Sequence, residues 1–374
     1  MTSKEQRPRV LVSGYYGFDN LGDEAILEEL CNELKELTDP QSIVILSADP
    51  QTTSARYGVQ AIKRTDFVDL CKYLCGSSLF VSGGGGLFQN TRSLGSIVFY
   101  GAQILLARAL GVPVMIYAQG IGPLHGKQAE QLTRRFWQMA NTITVRDDAS
   151  AALLKSWQLS GTRTADPVWR LKAGALSAET RDCLPRTKNI IAVSLRSAKD
   201  FTKAHAVTLA DLMAEQLPAD AQALLLPLQM SQDLEPLEHF QEAWQKRGRQ
   251  ATMFDSRQLE RPSQWISLLQ TCRGLVGMRL HAIIMALKAG IPVAGIAYDP
   301  KVGHVLSEFE QPCLILTKEC QAKQWQEALK IFAYATDTED APARARLQVA
   351  ENLSCQNFEL LAKILNMQRG DRPS

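Results

Sequence analysis

Arginine and histidine stand two positions apart in Gly277-Met278-Arg279-Leu280-His281, where a short apolar run gives way to an apolar helical pattern. Alternate residues of an extended segment point the same way. A guanidinium, an imidazole and the positive end of a helix dipole together suit an anion. A histidine at a helix start also serves as a cap or core residue, and the paired arginine favours the ligand reading. Lys301, after Tyr298-Asp299-Pro300 at the end of the next apolar run, adds a cation. Val145-Arg146-Asp147-Asp148 places another arginine at a strand end, which an ion pair with Asp147 or Asp148 would explain by itself. Arg196, after the run ending at Leu195, is a lesser candidate of the same kind.

Acidic and glycine-rich loops form the second group. Ser13-Gly14-Tyr15-Tyr16-Gly17-Phe18-Asp19-Asn20-Leu21-Gly22-Asp23-Glu24 follows a strand and opens a helix. Such loops often cradle phosphate, but Asp23 and Glu24 in the first turn would repel one. Asn20 or Asp19 can cap the helix and Glu24 can offset its dipole. For Asp23, contact with a base or a sugar hydroxyl stands level with that structural role. Ser82-Gly83-Gly84-Gly85-Gly86 costs chain entropy, so something needs bare backbone there, either a ligand or a closely packed loop. Gln119-Gly120-Ile121-Gly122-Pro123 again follows a strand. His125, His205, His239 and His304 have no supporting partners and read as structural or exposed.

The elements that must position these residues alternate along the chain. Strands are expected at Arg9–Ser13, Ile43–Leu46, Leu79–Ser82, Val114–Ala118 and Thr142–Val145, with helices over Ala25–Leu37, Val98–Leu110 and Ala149–Trp157. A second series has strands at Ile190–Leu195, Ala223–Pro227, Leu275–Gly277 and Pro292–Ala297, with a helix over His281–Lys288. Such alternation argues for parallel sheets covered by helices. Ala109-Leu110-Gly111-Val112-Pro113-Val114 is echoed by Lys288-Ala289-Gly290-Ile291-Pro292-Val293, each where a helix turns into a strand. The expectation is an α/β chain of two Rossmann-like domains facing a central cleft, the GT-B-like arrangement, with a C-terminal helix. Its divisions are 1–172, a linker at 173–188, a second domain at 189–335 and a helical tail at 336–374.

Composition narrows the function. The 374 residues carry a formal net charge of +2, which lacks the basic excess that nucleic-acid binding needs. The eight cysteines form no Cys-x-x-Cys pair, so they read as buried free thiols in a reducing compartment, and no metal site is expected. Cys71 and Cys75 would share a helix face as small apolar residues. Arg108 and Gly111-Val112-Pro113 interrupt the apolar stretch 98–118, leaving no membrane span and pointing to a cytoplasmic protein, with peripheral attachment at the inner face of the membrane left open.

Taken together and in this order, Gly14–Ala25, Ser82–Gln89, Gln119–Pro123, Val145–Asp147 and Gly277–His281 resemble the polysaccharide pyruvyl transferase family, in its CsaB type. The resemblance spans roughly residues 9–304. It implies phosphoenolpyruvate as donor and a sugar as acceptor, free or lipid-linked, with no metal or organic cofactor. Functional positions of the family would fall on Asp23, Arg146, Arg279 and His281. On that basis Arg279, Arg146 and Lys301 would bind the donor, in a donor-side second domain. His281 and Asp23 would be acid and base, and Gly14, Gly17, Asn20, Gly84, Gly85 and Gln119 would serve the acceptor or shape its loops in the first. The rival readings are a GT-B glycosyltransferase using a nucleotide sugar, and a non-catalytic sugar- or phosphate-binding protein.

Overall fold

The computed structural model describes residues 9–90, 93–316, 322–334 and 341–370. The chain divides into two compact units, Met1–Leu171 with Ala350–Ser374, and Lys172–Val349. The first holds strands β1 Val10–Ser13, β2 Ile43–Ser47, β3 Gln60–Lys63, β4 Leu79–Ser82, β5 Val114–Gln119, β6 Thr142–Val145 and β7 Thr162–Arg163. All pair in parallel, in the order β3-β2-β1-β4-β5-β6-β7. The second holds β8 Ile190–Ser194, β9 Gln222–Leu225, β10 Ala251–Met253, β11 Gly274–Gly277, β12 Val293–Ala297 and β13 Cys313–Ile315. These are also parallel, in the order β10-β9-β8-β11-β12-β13. Counted from its own first strand, the second sheet repeats the 3-2-1-4-5-6 order of the first, which is the Rossmann order.

The residue pattern explains this outcome. β1, β2, β4 and β5 are buried at every position, as strands covered on both faces must be. Period-two alternation sends Leu11 to a core with Phe80, Ile116, Trp137 and Trp157, and sends Val10 and Val12 to another with Leu27, Leu30 and Tyr117. Leu361 and Leu365 of the long helix Ala341–Gly370 join the second of these cores.

The repeated Gly-x-Pro-Val connectors have the same geometry. Gly111 and Gly290 take φ of 74° and 78°. Val112 N–H bonds the Ala107 carbonyl at 2.9 Å, and Ile291 N–H bonds that of Ala286 at 3.2 Å. Both helices therefore end in the left-handed closure that glycine permits, and the following proline sends the chain into β5 or β12.

Some expectations shift. The edge strands β3, β7 and β10 escape the apolar pattern because they are short and incompletely buried. The expected linker contains a short helix, Ala178–Asp182, and Gly174 N–H bonds the Ser263 carbonyl at 3.0 Å, within the second unit. Lys301 does not end a strand; it is the second residue of the helix Pro300–Glu308, which Asp299 caps. Cys31 and Cys272 are buried, but Cys75 and Cys183, each a helix C-cap residue, are exposed. Cys320, residues 1–8 and parts of the tail lie outside the described residues. Among the described residues no helix is long and apolar enough to cross a membrane.

One buried acid ties three parts of the first unit together. Glu33, on the helix Leu21–Leu37, accepts from Tyr117 Oη of β5 at 2.6 Å and from Arg170 Nη1 at 2.8 Å. Burial pushes its carboxyl from 4.5 up to about 8, helped by Glu29 and opposed by Tyr117 and Arg170. A carboxyl raised in the folded state favours folding fully below its unfolded pKa, and that contribution is lost as pH rises through the folded value. Thermal stability of the protein should therefore fall between pH 4.5 and about 8. Glu33→Gln should flatten that slope and stabilise the protein above it by the order of 1–3 kcal/mol, as unfolding midpoints across this pH range would reveal.

Candidate functional site

In each sheet the connections leave the first strand in opposite directions, since β1 lies between β2 and β4, and β8 between β9 and β11. Loops at such a reversal, at the carboxyl ends of the strands, are where open α/β sheets bind ligands. The loops after β1 and β4, with Asp23 and Gly83–Gly86, fall there in the first unit, and the Arg196 and Arg279 loops in the second; Gln119 ends the next strand of the first sheet, β5, and Arg146 follows the one after it, β6.

In the first unit Asn20 caps the helix Leu21–Leu37, accepting from Gly22 N–H at 3.2 Å, and donates from Nδ2 to Asp23 Oδ2 at 2.6 Å. Glu24 turns inward, accepting from Gly17 N–H and Tyr57 Oη, both at 2.8 Å. Burial raises its pKa against those bonds.

Packing accounts for several glycines of this region. A Cβ on Gly14 or Gly83 would strike the fully buried Tyr16 side chain, and one on Gly17 would strike Ser47. One on Gly84 would stand 2.8 Å from Ile26. Gly85 differs: its φ is 96°, and a Cβ there would come within 2.8 Å of Asp23 Oδ1. Gly86 has open space beside it.

Gly85 also reaches β5, its carbonyl accepting from Gly120 N–H at 2.9 Å. There β5 shifts register, and Ala118 takes a φ of 45° while its N–H is held by Thr144 Oγ1 at 2.7 Å. A non-glycine residue in that region costs roughly 1–2 kcal/mol. Gln119, fully buried, donates to Ser82 Oγ at 2.8 Å, and its Oε1 is buried with no hydrogen-bond partner among the described residues. Arg146 packs over Gly120, where a Cβ would be 2.9 Å from its Nε. Its Nη1 bonds Asp166 Oδ2 at 2.7 Å, and Nε lies 3.9 Å from Asp147 Oδ2. Burial opposes the Arg146 charge, but Asp166, Asp147 and, less strongly, Asp23 raise its pKa overall. Asp148 pairs with Arg163 instead. Asn20, Asp23, Gly85, Gln119 and Arg146 thus form one group; Gly14, Gly17 and Gly84 support the surrounding loops.

In the second unit Arg279 is the N-cap residue of the helix Leu280–Lys288 and is 8% exposed. Its Nε donates to Asp233 Oδ1 at 3.0 Å, and its Nη2 pairs with the same carboxylate. Asp233 is fully buried, and its Oδ2 accepts from Leu228 and Gln229 N–H groups, each at 2.9 Å. His281 follows in the first helical turn and is half-buried. Lys301 lies beyond β12, the strand paired with β11. Of the remaining histidines, His205 is buried against Phe201 and Trp325 and caps a helix with Thr202, His239 is half-buried, and His125 and His304 are exposed. Among the described residues no cluster of three or more His, Cys, Asp or Glu is arranged to hold a metal.

Sequence reasoning missed the carboxylates that hold the arginines, since Asp166 and Asp233 are distant in sequence from Arg146 and Arg279. It also missed Arg64, directly after β3, whose guanidinium lies over Phe18, Phe99 and Tyr100 at 4.8, 4.5 and 5.4 Å. A signal was present. Arg64, Arg146, Arg196 and Arg279 each fall one or two residues beyond the carboxyl end of a strand.

The family model for polysaccharide pyruvyl transferases matches residues 20–300. No curated protein matches the sequence significantly. Among solved structures, the UDP-GlcNAc 2-epimerase from Neisseria meningitidis bound to UDP-GlcNAc is similar at a TM-score of 0.64 and 11% identity, covering 95% of this chain and 100% of that one. The S. aureus MnaA–UDP structure gives 0.63 and 10%, covering 98% and 99%. The glycosyltransferase SnogD from Streptomyces nogalater gives 0.55 and 17%, covering 97% and 100%. At these identities the likeness is one of fold, that of GT-B epimerases and glycosyltransferases.

Two substitutions test this geometry. Gly85→Ala should force Asp23 aside and strain the backbone, lowering turnover at least about tenfold and costing about 1–3 kcal/mol of stability, with the fold retained. Asp233→Ala would strand a buried guanidinium and should cost about 3–5 kcal/mol of stability, measurable by denaturant unfolding.

Proposed function

The chain belongs to the polysaccharide pyruvyl transferase family, and from that premise we propose a specific reaction. The pyruvyl group of phosphoenolpyruvate moves onto two hydroxyls of one sugar, in a cell-surface polysaccharide or its lipid-linked precursor. The products are a pyruvate ketal and phosphate. The observation that carries this reading is the pairing, at the carboxyl end of β11, of a guanidinium gripped by a buried carboxylate with an imidazole two residues on.

Phosphoenolpyruvate presents a phosphate and a carboxylate, and Arg279, Arg146 and Lys301 are the cations assigned to them; the planar arginine fork matches both groups. His281 delivers a proton to C3, turning the methylene into a methyl and leaving C2 electrophilic. Asp23, held by Asn20 Nδ2, accepts the proton of the first sugar hydroxyl as its oxygen bonds to C2. The bond from C2 to the phosphate oxygen then breaks, and the second hydroxyl adds to C2 and closes the ring. Of the two protons the sugar gives up, one balances the new methyl group and one leaves with phosphate. Gly85 and Gln119 shape the loop around Asp23, while Gly14, Gly17 and Gly84 hold its backbone. These steps use no metal and no organic cofactor. The proposed compartment is the cytoplasm, at the inner face of the membrane where the acceptor is lipid-linked.

Purified protein should release phosphate from phosphoenolpyruvate only when a polysaccharide precursor is supplied. His281→Ala should lower that release by about a hundredfold or more with the unfolding midpoint unchanged. Undiminished turnover in the variant would remove His281 from the mechanism, and turnover of a nucleotide sugar without phosphate release would remove phosphoenolpyruvate.

A further inference from the structure

The two arginines assigned to the donor are both matched by carboxylates. Arg279 is neutralised by Asp233, and Arg146 by Asp166. Arg196, two residues beyond β8, lies in the same switch-point loops as Arg279, since β8 pairs with β11. Its contacts are different. Nη1 donates to Tyr298 Oη at 2.9 Å, Nη2 to Gln232 Oε1 at 2.7 Å and Nε to the Ser197 carbonyl at 3.4 Å. The guanidinium also lies 4.8 Å from the Tyr298 ring centroid. Among the described residues every one of these partners is neutral.

One of these partners is shared with Arg279. Gln232 Oε1 accepts from Arg196 Nη2 and, at 3.4 Å, from Arg279 Nη2. Gln232 and Asp233 are adjacent in the first turn of the helix Met230–Lys246, so one helix start holds both guanidiniums. The Gln232 carbonyl accepts from Ser197 N–H at 2.8 Å, fixing the Arg196 loop as well. Nearby, Ser194 Oγ, at the carboxyl end of β8, is fully buried and has no hydrogen-bond partner among the described residues.

A half-buried guanidinium braced by neutral groups keeps its full charge for whatever binds beside it, and a charge-assisted bond to an oxyanion is about twice as strong as a neutral one. We propose that Arg196 supplies the net positive charge of an anion subsite in the second unit, taking a phosphate or carboxylate group of the donor, with Gln232 and Tyr298 as positioning residues. Arg279, already matched by Asp233, contributes directed hydrogen bonds there more than net charge. The identity of the anion rests on the phosphoenolpyruvate reading above; the role of Arg196 does not.

The test is calorimetric titration of the full-length protein with phosphoenolpyruvate, inorganic phosphate and UDP-glucose, at low and high salt. Arg196→Gln should weaken phosphoenolpyruvate and phosphate by about tenfold or more. It should also flatten the salt dependence, because an exposed charge interaction is screened. Tyr298→Phe, which keeps the guanidinium and removes one brace, should give a smaller loss and serves as the informative variant if Arg196→Gln does not fold. Tight phosphoenolpyruvate binding that neither variant alters would overturn the Arg196 assignment and leave the donor reading standing. Arg196-dependent binding of UDP-glucose, with no binding of phosphoenolpyruvate, would keep the anion subsite and remove the proposed donor. Wild-type protein that binds none of the three would overturn the subsite.

Discussion

Every strand of a parallel sheet must be entered from the same end, so the loops at the carboxyl ends are not spent on hairpin turns. Both sheets of this chain add a reversal, running outward through three strands and then returning to the far side of the first. That reversal separates the loop after β1 from the loop after β4, and the loop after β8 from the loop after β11. Most of the candidate chemistry gathers on those loops: Asn20, Asp23 and Gly85 in one unit, Arg196, Arg279 and His281 in the other, with Arg146 farther along the first sheet, after β6.

Charge carried into such a place has to be matched. Arg146 with Asp166 and Arg279 with Asp233 are buried pairs, whose net contribution to stability is small because desolvation offsets attraction. What they supply is direction. Asp233 receives two backbone N–H groups on one oxygen and the guanidinium across both, so the arginine has little freedom to turn. Glu33 shows the opposite balance, with burial outweighing its partners and raising its carboxyl to about 8. Arg196 differs from both of these pairs, a cation braced without being neutralised.

Much of this was legible before any coordinates. Apolar runs marked the central strands because those strands are buried on both faces, and the Gly-x-Pro-Val connectors marked two matching helix ends. Edge strands such as β3 were hidden by their polar, half-covered residues. Arg279 and His281 stood out because their spacing is local. Their supports did not, because Asp233 is 46 residues from Arg279 and Asp166 is 20 from Arg146, and no local pattern ties such residues together. The glycines were ambiguous for a physical reason. Bare backbone serves a buried tyrosine as well as a ligand, and Gly14 and Gly83 turn out to face Tyr16 while Gly85 faces Asp23.

The account turns on where the carbon skeleton of the donor ends up. Phosphoenolpyruvate labelled with carbon-13 at C2, incubated with the protein and a polysaccharide precursor, can be followed by NMR alongside released phosphate. The account predicts that the label becomes a ketal carbon bonded to two oxygens of one sugar, with one phosphate released for each ketal formed. Label that stays in phosphoenolpyruvate, or that is joined to the sugar through a single oxygen with its double bond intact, would contradict it.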